Sequence, residues 1–241
     1  MSIKNITYLD LIEACQKSGC LVCTLRDDMV ESYIRMLFHE HVNDPPSRDK
    51  LRYSYGLCFQ HSWLAIDAQL GNALGVAIIS HDVVRKLLQD LSELPANDGR
   101  SNVLKKLLQA SRRQSQRESW LMPKMDCPVC MHQDLVEERV LKTLVESIQK
   151  KELSDAIQHS DGLCLTHLRQ SLVRSSSTES DDVLLNLARA CWEKMEEELA
   201  EFIRKNDYRF SKEGFGVEKD SWLRATGILK GNRPKRRSLG T

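Results

Sequence analysis

The chain has 241 residues, 41% of them hydrophobic and 29% charged, and 35 basic against 34 acidic side chains give a formal charge of +1. That balance produces no overall field to gather nucleic acid or an anionic membrane, and the length suits one sizeable domain or two small ones. The first residues lack a basic-then-apolar leader pattern, and the best apolar run, Ala73 to Ile79, is too short for a membrane span, so a cytoplasmic protein is expected.

In chain order, Thr7 is placed to cap a helix from Tyr8 to Lys17, and Ser18-Gly19 ends it. Cys20-Leu21-Val22-Cys23 follows, then a helix from Thr24 to Val42 with Met29, Val30, Tyr33, Ile34, Leu37 and Phe38 on one face. Asn43-Asp44-Pro45-Pro46 stops that helix, and Ser47 is expected to cap a brief helix through Leu51 to Tyr53. Gly56 leads into Cys58 and His61, which open a helix to Leu70. The helix after it, Ala73 to Leu91, shows an apolar set of Leu74, Ile78, Val84, Leu87, Leu88 and Leu91. Leu94 to Gly99 is a linker, and Ser101 to Glu118 begins as an apolar helix and ends as a polar run. Cys127-Pro128-Val129-Cys130 opens a helix to Lys151 with Val136, Val140, Leu144 and Ile148 at four-residue steps. A turn at Asp155 to Gln158, a ligand helix from Cys164 to Val173 and a long helix from Asp181 to Lys205 complete this part. The tail holds a short helix around Trp222, Ala225 and Leu229 and the basic run Arg233-Pro234-Lys235-Arg236-Arg237. No stretch sustains a period of two, so the expected fold is all-α.

One pattern occurs twice. Cys20/Cys23 is followed by Gly56-Leu57-Cys58-Phe59-Gln60-His61, and Cys127/Cys130 by Gly162-Leu163-Cys164-Leu165-Thr166-His167. Each copy supplies three thiols and one imidazole, the donor set for one tetrahedral ion. The expectation is two similar helical units from an internal duplication, each built around its own Cys3His site: Cys20, Cys23, Cys58 and His61 in one, Cys127, Cys130, Cys164 and His167 in the other. The boundaries read as a first repeat over 1–94, a linker over 95–125, a second repeat over 126–205 and a C-terminal extension over 206–241.

These residues resemble an uncharacterised bacterial family, a domain of unknown function whose members carry C-P-x-C followed by G-x-C-x2-H, usually twice. Gly71 to Ile79, Tyr208-Arg209-Phe210 and Asp220-Ser221-Trp222 extend the resemblance, and Leu21 departs from it where the second copy has Pro128. The resemblance implies a helical metal-binding protein and brings no activity with it.

Zn²⁺ suits a closed Cys3His set, two ions per chain; iron–sulfur clusters are the alternative, since histidine can replace cysteine there, and Cu(I) is a more distant one. Four protein donors per ion leave no open coordination position, so an enzyme is not expected, and a thioredoxin-like C-x2-C lacks its βαβ context. The functional reading is a non-enzymatic zinc scaffold or interaction module with a protein partner. A redox or metal sensor and a nucleic-acid-associated zinc protein are the alternatives, the last resting on Arg112, Arg113, Arg117 and Lys235-Arg236-Arg237. His39-Glu40-His41 and His81-Asp82 are read as solvated helix-end groups rather than ligands, His132 and His159 as flanking the second copy's motifs without matching a first-half position, and Cys15 and Cys191 as core thiols.

Overall fold

The computed structural model describes residues 6–93, 121–210 and 212–233. Ten α-helices and no strand occur among them. In chain order these are α1 (Tyr8–Cys15), α2 (Leu21–His39), α3 (Pro45–Tyr53), α4 (Phe59–Asp67), α5 (Ala73–Ser92), α6 (Pro128–Ser147), α7 (Lys151–Gln158), α8 (Leu165–Arg174), α9 (Thr178–Lys205) and α10 (Ser221–Lys230), with 3₁₀ turns at Tyr208–Phe210 and Val217–Asp220. The expected all-α fold is found. The helix and basic run placed between Ser101 and Glu118, and the basic residues from Lys235 onward, lie outside the described residues.

Side-chain caps set the helix starts. Thr7 and Asp10 form a reciprocal capping box on α1. Asn43 to Pro46 does more than stop α2: Asp44 accepts from the Ser47 amide at 3.0 Å and Pro45 occupies the first position of α3. There its missing N–H costs nothing and its fixed φ helps, so α3 begins before Ser47. Ser177 caps α9, which therefore starts at Thr178 rather than Asp181, and α7 starts at Lys151, before the expected cap at Ser154.

The chain forms two compact units that do not follow the sequence repeats. One comprises the described residues up to Val30 and from Gln133 onward; the other comprises the described residues from Glu31 to His132. In the first, Leu11, Leu21, Val22, Val136, Val140, Leu141, Leu144, Ile148, Leu153 and Leu184 form a shared core at 0–1% exposure. The four-residue row from Val136 through Val140 and Leu144 to Ile148, just past the end of α6, is therefore buried as expected. The C-terminal helix α10 packs on α9 and α8, and Arg224 anchors it through Glu198, Asp161 and Asp220.

In the second unit, Ile34, Leu37, Phe38, Leu51, Ala65, Leu70, Ile79 and Val83 are buried. The inward face of α5 is not the expected one. Gly75, Ile79 and Val83 point inward, while Leu74, Val84, Leu88 and Leu91 are exposed. The cause is a close backbone approach: a Cβ on Gly75 would lie 2.6 Å from the Phe38 carbonyl oxygen. The helix turns its glycine, rather than its most apolar row, toward α2. Arg48 and Arg52 of α3 then hold Asp82 of α5 at 3.0 and 2.8 Å.

Candidate metal centres

All eight motif residues fall on helix N-termini in one repeated arrangement. Cys58 and Cys164 are the N-cap residues of α4 and α8, with extended backbones (φ −65°, ψ 167° and φ −71°, ψ 159°) and side chains that make no capping bond. Cys20 and Cys127 immediately precede α2 and α6. All four carbonyls accept the first helical hydrogen bond, from Thr24, Ser62, Met131 and Leu168, at 2.9–3.1 Å. The second donor of each motif, Cys23, His61, Cys130 or His167, then stands three residues on, in the first turn. N-cap and third helical position lie on one side of the turn, which is why C-x2-C and C-x2-H both chelate.

The pairing departs from the expected one. Cys20 and Cys23 meet Cys164 and His167, and Cys58 and His61 meet Cys127 and Cys130. Each centre thus takes its C-x2-C from one repeat and its C-x2-H from the other. Within each group the four donor atoms lie within 4.8 Å of one another. At the first centre His167 Nδ1 is 3.3, 3.4 and 3.3 Å from the sulfurs of Cys20, Cys23 and Cys164, and Cys23 Sγ is 4.0 Å from Cys164 Sγ. At the second, His61 Nδ1 is 3.3, 3.7 and 3.4 Å from the sulfurs of Cys58, Cys127 and Cys130, and Cys58 Sγ is 3.6 Å from Cys130 Sγ. With Zn–S about 2.3 Å and Zn–N about 2.0 Å, a tetrahedron has S···S edges of about 3.8 Å and S···N edges of about 3.5 Å. The donors fit one tetrahedral ion in each centre.

Charge supports the same fit. Two thiolates about 4 Å apart repel by about 4 kcal/mol at an effective dielectric of 20, so three together need a cation. A divalent ion leaves about −1 per centre, and each helix N-terminus carries about +0.5, so the two N-termini at each centre offset it. Without an ion, protons do this work. Burial, then the neighbouring Cys127 and Cys58, pushes the Cys130 thiol up to about 12. At the first centre, hydrogen bonds from Cys20 and Cys23 hold Cys164 far below the ordinary thiol range. Burial opposes the charging of His167, yet bonds to Cys164, Cys23 and Glu137 raise it to about 11.

The surroundings of the two centres differ. At the first, His167 Nε2 faces Glu137 Oε2 at 3.5 Å, and Glu137 also accepts from Arg26 at 3.3 Å and Gln170 at 3.0 Å. A carboxylate behind a ligating imidazole fixes its orientation and raises its basicity. Asn232 accepts from the Cys20 amide at 2.7 Å and donates to Thr24 Oγ1 at 2.9 Å, so the C-terminal segment holds the first turn of α2. Gly162 has φ +73°, and a Cβ there would lie 2.9 Å from Cys191 Sγ; Gly56, before Cys58, has φ +92° and open space around it. At the second centre Tyr33 stacks on His132, centroids 4.3 Å apart.

The other candidate residues have separate roles. His39 contacts Asn72 at 3.3 Å, Asp82 serves the α3 arginines and His159 Nδ1 lies 2.7 Å from the Asp155 carbonyl. None of them belongs to either donor group. Cys15 and Cys191 are buried, as expected of core thiols. Sequence spacing did not reveal Glu137 or Asn232, because neither belongs to a repeated motif.

No curated protein and no solved structure matches the chain. One family model does, over residues 1–236, and the chain belongs to that family, a family of unknown function (DUF6062).

Proposed function

We propose that the protein is a non-enzymatic zinc scaffold, its two Cys3His centres tying C-x2-C helices to C-x2-H helices so that the assembled surface can receive a protein partner in the cytoplasm. The observation that carries this reading is the convergence of four donors on one point, twice, with tetrahedral edges. Zinc is favoured because each donor set is compact enough to surround a single ion; a cluster would spread its ligands over several irons. Four protein donors fill the coordination sphere, which argues against hydrolytic catalysis at either centre. A partner surface is supported by α4, where Phe59 (83% exposed) and Trp63 (51% exposed) pack edge to face and Ile66 is exposed beside them.

Elemental analysis with a visible spectrum, on protein purified without oxygen, tests the reading. About two zinc per chain and no colour are expected. Iron with sulfide and a brown absorbance would replace it with a redox or sensor protein, and a folded protein without metal would overturn it.

A further inference from the structure

We propose that Cys58 and Cys130 form a peroxide-driven disulfide switch that releases the ion of the second centre while the first centre keeps its own; this rests on the metal reading above. Two observations carry it. The two sulfurs are 3.6 Å apart, so they need approach by only about 1.5 Å to reach bonding distance. Cys58 and Cys130 are the only two of the eight donor residues that are part-exposed.

The first centre is closed to solvent. Cys20, Cys23, Cys164 and His167 are at most 3% exposed. A Cβ on Gly231 would lie 3.3 Å from Cys23 Sγ, and Asn232 bonds the Cys20 amide, so the C-terminal segment covers this centre. Peroxide reaches the second centre first because access, as much as thiolate character, sets cysteine oxidation.

The chemistry is a two-electron oxidation. One exposed thiolate attacks hydrogen peroxide, forming a sulfenic acid and releasing hydroxide. The other thiolate attacks that sulfur, forming the disulfide and expelling a second hydroxide. Two thiolates are oxidised and one peroxide is reduced. The ion keeps only His61 and Cys127 of its protein donors and leaves; a thiol reductant and fresh metal restore the centre.

The test uses the full chain after its metal content has been measured. Hydrogen peroxide is added with a chromogenic chelator present, and the cysteines are mapped by alkylation and mass spectrometry. One equivalent should be released with a Cys58–Cys130 crosslink, and the second more slowly, because the buried thiols of the first centre are less accessible to peroxide. Equal release rates, earlier loss from the first centre, or a crosslink that omits Cys58 or Cys130 would overturn the switch and leave the metal reading standing. Absence of metal before peroxide would overturn both.

Discussion

Glu137 distinguishes the first centre at the level of single residues. It touches no candidate ion; it stands behind His167, and Arg26 and Gln170 hold it there. Its hydrogen bond with His167, the largest influence, outweighs burial and brings its carboxyl down to about 2. A lowered carboxyl stabilises the fold fully above its ordinary value of 4.5, and that contribution fades only as pH falls toward about 2. Glu137→Gln keeps the shape and removes the charge. It should weaken metal at the first centre by about 10- to 100-fold and leave the second unchanged, as read by competition with a chelator at neutral pH. Equal weakening at both centres would mean that the carboxylate acts on the fold rather than on His167.

Among the helices, one device recurs at four N-termini: a cysteine at the cap and a second donor in the first turn. The crosswise pairing of these helices makes a definite prediction about paired substitutions. Cys20→Ser and Cys164→Ser should each cost one ion, and together still one, because both serve the first centre. Cys20→Ser with Cys58→Ser should cost both ions, whereas pairing within the repeats would leave one. Metal counting on the purified variants decides it. Each lost ion should also lower stability strongly, since structural zinc contributes on the order of 10 kcal/mol to folding. The donors themselves were legible in the sequence, because cap and first-turn geometry imposes a fixed three-residue step. The pairing was not, because both C-x2-C motifs and both C-x2-H motifs have the same local form, and nothing local says which will meet. Asn232 and Glu137 were hidden for a related reason: they act on Cys20 and His167 across 212 and 30 positions of chain, outside any repeat. The inward face of α5 was misread because Gly75 contributes nothing to an apolar count, yet its missing side chain is what admits the Phe38 carbonyl.

For the whole molecule, crosswise centres mean that neither half of the sequence owns a complete ion site. Residues up to 93 carry Cys20, Cys23, Cys58 and His61, four donors split between two centres, and residues from 121 carry the complementary four. The compact unit that holds the first centre likewise joins the residues up to Val30 to those from Gln133 onward. A chain cut within 94–120 and prepared as two separate fragments should therefore load metal poorly in either fragment alone. Mixing the fragments with zinc should restore two ions and the helical signal together, because the ion's binding energy is released only when both fragments supply donors. Titration with a chromogenic chelator and circular dichroism on each fragment and on the mixture would show it. If each fragment alone bound one ion as tightly as the intact chain, the halves would be self-sufficient, and the crosswise centres would not be what joins them.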